Sequence, residues 1–300
     1  AKKLTAYHEA GHAVAMRCLP TQDPVHQITI VPRGRAGGMT ISLPQEDKSY
    51  MGKRELEEEI VGLLGENGAG KSTLASLICG FMQPDQGEIY LNGDNLAGYS
   101  IKERGEKIGL VMQSPNQMIS KPMIYDEVAL GLRVREVAEE TIKERVFETL
   151  KICGLYPFRN WPVSALSFGQ KKRVTIASIL VMNPEVLILD EPTAGQDFRH
   201  YTEIMEFLRR IHEKLGITII MITHDMHLML EYTDRAIVIA DGKMLADDTP
   251  AHILTNEEIS DRAYLKKTSL YDLAVKCDIA EPTAFVERFI QYEREVGRDV

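Results

Sequence analysis

The nine residues GENGAGKST, 65–73, constrain this chain more than any other stretch. Their glycines let the backbone wrap a phosphate with its amides pointing inward, and a following helix aims its positive end at the same point. Such a loop works only when a buried strand runs straight into it. The apolar run just before it, residues 60–64, has a second claimant. In ELEEEIVGLLG, Leu56, Ile60, Leu63 and Leu64 fall at helical spacing with glutamates between them, as on an amphipathic helix. One segment cannot be both. Phosphate binding requires the strand, so we expect a strand over 60–64 and a helix over 53–59 that stops near Glu59.

Three zones follow from this seam: residues 1–59, 60–245 and 246–300. The first holds a helix-like start, strand signals at 28–31 and 39–43 around a Pro/Gly-rich turn, and the acidic helix. The second alternates β-branched runs (60–64, 108–112, 186–189, 217–222 and 236–240) with helical patterns, which predicts an α/β domain with a mainly parallel sheet. Asn-Gly in YLNGDNL and Asp-Gly in IVIADGKMLA predict antiparallel hairpins on that sheet. The third zone reads as helices with polar faces.

The chemistry concentrates in the middle zone. Lys71 can reach the β- and γ-phosphates of a nucleotide and the Ser72 hydroxyl can bind magnesium; Gly65, Asn67, Gly68, Gly70 and Thr73 belong to the same binding stretch. VLILDEP, 186–192, reads as a buried strand ending in two acids. Asp190 is placed to hold magnesium, and Glu191 to orient or deprotonate an attacking water. In LSFGQKKRV, Ser167, Gly169 and Gln170 open a helix; alone, they read as an ordinary serine N-cap, but in order with the other motifs they read as a phosphate contact.

In this order the motifs resemble the ATP-binding cassette (ABC) family over about residues 60–245, a P-loop NTPase fold with a helical subdomain. The resemblance implies that Gln113 in LVMQSPNQM senses magnesium and contacts a transmembrane partner, that His224 in ITHD sits at the γ-phosphate, and that Asp197 in AGQD closes the D-loop. It further implies ATP and Mg2+ as ligands. Two cassettes would pair head to tail, Ser167 and Gly169 of one covering the ATP held by Lys71 of the other. MISKPMIYDEVALGL, SALSFGQKKRV and the C-terminal segment are similar to cobalt-type and energy-coupling-factor importers of vitamins or metals, and in particular to the second cassette of a duplicated ATPase. One departure stands out: the family's adenine-stacking aromatic lies upstream of the loop, and here the nearest candidate, Tyr50, is spaced too closely.

HEAGH, 8–12, places His8 and His12 one helical turn apart with Glu9 beside them, a spacing suited to two zinc ligands and a general base. LTAYHEAGHAV and DPVHQITIVPRGRAGGMTISLP resemble the start of the FtsH-type zinc peptidase domain, a partial α+β zincin-like fragment. That likeness stops at about Leu64, before the aspartate that supplies the family's third ligand. Two histidines alone bind zinc weakly, so an orphaned helix is the expected outcome. The simplest account of the whole is a fusion at a shared motif, whether natural, engineered or an artefact of assembly.

A net charge of −9 argues against nucleic acid as a partner, and Cys18, Cys79, Cys153 and Cys277 form no CxxC pair. The start does not resemble a signal peptide, and no apolar run reaches membrane-spanning length. We therefore expect an ATPase subunit on the cytoplasmic face of the cell membrane, held there by a transmembrane partner and paired with a second cassette. The rival readings are an ATP-dependent zinc endopeptidase and a non-functional chimera.

Overall fold

The computed structural model describes residues 25–29, 39–42, 59–194 and 198–296. They fall into two compact units, residues 1–98 with 220–300, and residues 99–219.

The first unit opens with an antiparallel hairpin, β1 (Val25–Thr29) and β2 (Met39–Ser42), in which Val25 pairs with Ser42 and Thr29 with Met39. β1 starts earlier than the strand expected at 28–31, because pairing with β2 sets its extent; residues 30 and 31 lie outside the described residues. β3 (Ile60–Leu64) is buried along its whole length, so the strand owns IVGLL. Burial on both faces explains its near-continuous apolar run. Glu59 is not helical, and the rest of the helix expected over 53–59 lies outside the described residues. After the loop comes α1 (Lys71–Cys79). Then β4 (Tyr90–Leu91) turns back on β5 (Asp94–Asn95) through Asn92 and Gly93, whose φ values of 53° and 89° match the turn that Asn-Gly favours.

The second unit begins with α2 (Ile101–Lys107), started by a reciprocal cap in which the Ser100 hydroxyl accepts from Glu103 N–H and the Glu103 carboxylate from Ser100 N–H. β6 (Ile108–Val111) follows, then α3 (Ile124–Val134), α4 (Glu139–Ile152), α5 (Phe168–Leu180), β7 (Val186–Asp190) and α6 (Phe198–Leu215). β6 and β7 run parallel, in register from Ile108–Val186 to Val111–Leu189. Parallel neighbours need a long crossover, and α3, α4 and α5 lie within it. These helices pack through apolar residues at helical spacing: Val128 and Leu132, Val146 and Leu150, Val174 and Ala177 are all buried.

β8 (Thr218–Ile222) carries the chain back into the first unit. There α7 (Met226–Tyr232) leads to β9 (Arg235–Ala240), which lies parallel to β3 with Val61 opposite Arg235 and Leu64 opposite Val238. β10 (Lys243–Asp248) returns antiparallel through Asp241 and Gly242, at φ 50° and 69°. Residues 246–248, expected as the start of the helical zone, are therefore the end of a strand, held by pairing with 236–238. The helices are α8 (Pro250–Thr255), α9 (Glu257–Arg262), α10 (Ser269–Lys276) and α11 (Pro282–Val296). From α11, Arg294 donates to the carbonyls of Glu231 and Thr233, both at 2.9 Å, and to the Asp234 carboxylate at 3.2 Å. Asp234 in turn accepts from Ile60 N–H at 3.2 Å. The C-terminal helix is thus bonded, through one carboxylate, to the first residue of β3.

Candidate functional site

In the first unit, the chain leaves β3 through Gly65 at φ 148°, where a β-carbon would stand 2.1 Å from the Ile239 carbonyl oxygen on β9. Only glycine passes there. Gly68 and Gly70 also take positive φ, and a β-carbon on either would meet nothing within 4 Å. The space beside these two glycines is therefore open at the start of α1, whose first-turn N–H groups lack intrahelical acceptors. Asn67, Ser72 and Thr73 are exposed around it. Lys71 is buried instead, its ammonium donating to the carbonyls of Gly65 at 2.7 Å and Glu66 at 2.8 Å. The loop is thus closed on its own cation.

His224 lies at the same end of β3. Thr223 N–H reaches the Leu63 carbonyl at 3.5 Å, and exposed His224 follows directly. Next, the Asp225 carboxylate caps α7 by accepting from the N–H groups of His227 and Leu228 at 3.0 and 3.1 Å.

In the second unit, Asp190 is the last residue of β7, and Glu191 sits beyond it at φ 44°, a left-handed conformation that side-chain-bearing residues adopt at a cost. The pairing of Val111 with Leu189 places Gln113 and Glu191 each two residues past the matched ends of neighbouring parallel strands. Gln113 is exposed and both acids are half-buried. Ser167 caps α5: its hydroxyl accepts from Gln170 N–H at 3.3 Å, while the Gln170 side-chain oxygen accepts from Ser167 N–H at 3.0 Å. Gly169, in the first turn, has nothing within 4 Å of where a β-carbon would be.

Two residues escaped the sequence reading. Lys172 on α5 is buried at 1% exposure and donates to the carbonyls of Met112 at 3.0 Å and Gln113 at 2.7 Å. Glu127 on α3 is buried and accepts from the N–H groups of Ser120 and Lys121. A signal for Lys172 existed: it precedes Ile176 and Leu180 at intervals of four, on the face that faces the core. Of the expected site residues, His8, Glu9, His12 and Asp197 lie outside the described residues. Among the described residues, no group of three or more His, Cys, Asp or Glu side chains could hold a metal ion.

A glycine loop joining a buried parallel strand to a helix, together with a parallel strand that ends in two acids, defines a P-loop NTPase. The family model described as ABC transporter matches residues 56–194, and that for peptidase family M41 matches residues 1–81, running past Leu64 across the seam. Proteins named as ABC transporter ATP-binding proteins from Clostridium perfringens and Enterococcus faecalis are 65% and 62% identical over 79% of this chain. The chain spans about two fifths of their length, 41% and 42%. A solved structure, cbiO1 from Clostridium perfringens, part of the ABC transporter complex cbiONQ, is 33% identical with a TM-score of 0.64, covering 82% of this chain and 92% of its own. An ATP-binding cassette of an ABC transporter in its ADP conformation, 23% identical with a TM-score of 0.63 over 77% of this chain and 93% of its own, shares the fold. The chain belongs to the ABC transporter ATP-binding family.

Proposed function

We propose that this chain binds and hydrolyses ATP to drive a membrane importer of the energy-coupling-factor type, with a vitamin or metal ion as cargo. The observation that carries the reading is the 65–73 loop, whose Gly65, Gly68 and Gly70 take positive φ at the start of α1, with open space beside Gly68 and Gly70. Lys71 is assigned to the β- and γ-phosphates, and Gly65, Asn67, Gly68, Gly70 and Thr73 to the cradle. Ser72 and Asp190 offer a hydroxyl and a carboxylate, the hard oxygen donors that suit Mg2+, with Gln113 as a further ligand. Mg2+ would neutralise charge on the β- and γ-phosphates. Glu191 accepts a proton from, or orients, the attacking water, and His224 contacts the γ-phosphate.

Ser167, Gly169 and Gln170 cover the ATP of a second cassette, and the family resemblance assigns Asp197, outside the described residues, to the same task. The relatives are nearly twice as long as this chain, which leaves room for a partner cassette within the same polypeptide. The likeness to cbiO1 supports attachment to a transmembrane subunit at the cytoplasmic face. No helix among the described residues is long and apolar enough to cross a membrane itself. In domain terms, we assign residues 60–245, together with the end of β10 at 246–248, to the cassette, the remainder to residue 300 to a helical extension, and 1–59 to a peptidase-like fragment. The M41 match supports that last origin, but His8 and His12 without a third ligand do not make a catalytic zinc site.

Substituting Glu191→Gln tests the assignment. Hydrolysis should fall by about a hundredfold or more while ATP still binds and an ATP-bound dimer accumulates. Undiminished turnover in that variant sinks the reading.

A further inference from the structure

The segment that carries Gln113 is held at both ends by buried side chains of opposite charge. At its entry, the carbonyls of Met112 and Gln113 accept from the Lys172 ammonium, 60 and 59 residues further along the chain. At its exit, Glu127 Oε2 accepts from Ser120 N–H at 2.9 Å, Lys121 N–H at 2.7 Å and the Ser120 hydroxyl at 3.3 Å. A cation meets carbonyls and an anion meets amides. Between them the backbone closes a tight turn, with Gln117 N–H on the Ser114 carbonyl and Met118 N–H on the Pro115 carbonyl. Glu127 lies on α3 and Lys172 on α5, two helices packed against each other.

Packing alone does not call for these charges. Methionine and glutamine would fill similar volumes without the cost of desolvating an ion. That cost is visible at Lys172: burial pulls its ammonium down to about 8, with Asp190 and then Glu191 pulling in the opposite direction. Lys172 also lies five residues after Ser167 on one continuous helix. A displacement at the start of α5 therefore moves its ammonium, and with it the backbone of Gln113.

We propose that Lys172 and Glu127 are positioning residues that clamp the 112–121 segment to α5 and α3, so that a shift at Ser167 and Gly169 is transmitted to Gln113 through side-chain bonds. The proposal rests on the ATPase reading above and extends it to two residues outside the nucleotide contacts assigned there.

The experiment uses the full chain with Lys172→Met and, separately, Glu127→Gln. It records kcat and KM for ATP and the amide hydrogen exchange of residues 112–121. Each variant should lose about tenfold or more in kcat with KM within about twofold, because the binding loop is untouched. Exchange over 112–121 should quicken by about tenfold while the rest of the second unit keeps its protection. A folded variant with wild-type turnover and wild-type exchange overturns the clamp. So does exchange that quickens evenly across the unit with KM rising alongside, since that is a general loss of packing. If Lys172→Met does not fold, Glu127→Gln decides by the same two readouts from the other end. A wild-type chain that hydrolyses no ATP overturns the ATPase reading alone, and the exchange measurement still decides the clamp.

Discussion

Cys153 is wholly buried in the second unit, and burial pushes its thiol up from an ordinary 9.0 to about 12, against a smaller opposing pull from Arg173. The thiolate is the reactive species, so this sulfur is inert at neutral pH. Cys79 is also buried, whereas Cys277 is exposed. With maleimide at neutral pH, peptide mapping should find Cys277 labelled in the native protein and Cys153 labelled only after denaturant is added. The same shift has a signed consequence for stability. Between pH 9 and about 12 the unfolded chain has released this proton and the native chain still holds it. Stability therefore falls as pH rises through that window, and is unaffected by this group below pH 9. Urea midpoints measured from pH 8 upward should decline less steeply in Cys153→Ala than in the wild type. Parallel declines would mean that the thiol titrates alike in both states.

β3 shows what local pattern decides and what it leaves open. IVGLL suits an amphipathic helix by spacing, yet only a strand can feed the loop that follows, and the requirement of the neighbouring motif settled it. Turns were legible for a similar reason: Asn92-Gly93 and Asp241-Gly242 impose their own backbone angles whatever surrounds them. The strand-end acids Asp190 and Glu191 were legible because four buried apolar residues point to them. For Lys172 the spacing signalled the buried face but not its partners, since the carbonyls it serves, some sixty residues away, meet it only in the folded chain. The extent of β1 and of β10 depended on pairing partners in the same way. α11 read as a polar helix, but Arg294 fastens it to residues 231–234. Removing that side chain in Arg294→Ala deletes three hydrogen bonds on a partly exposed group, and should cost about 1–3 kcal/mol in a denaturant titration. Amides near residues 231–234 and at Ile60, bonded to Asp234, should exchange faster. Unchanged protection at Ile60 would show that α11 does not brace the strand.

The chain spans about two fifths of its relatives' length, and the proposed pairing with a second cassette is testable on the whole molecule. In the proposed head-to-tail pairing, Lys71 would serve the ATP of its own chain and Ser167 the ATP of the opposite one. A chain carrying Lys71→Ala and a chain carrying Ser167→Arg are each inactive in a head-to-tail homodimer, because every site in either dimer lacks one component. Mixed in equal amounts, about half the dimers are hybrids, and each hybrid has one site with both components intact. The mixture should therefore recover about one quarter of wild-type turnover if the two sites act independently. Wild-type specific activity should also rise with protein concentration and level off as pairing saturates. No recovery on mixing, with specific activity independent of concentration, would mean that each chain completes its own site or pairs only with a different cassette, and the head-to-tail homodimer would fall.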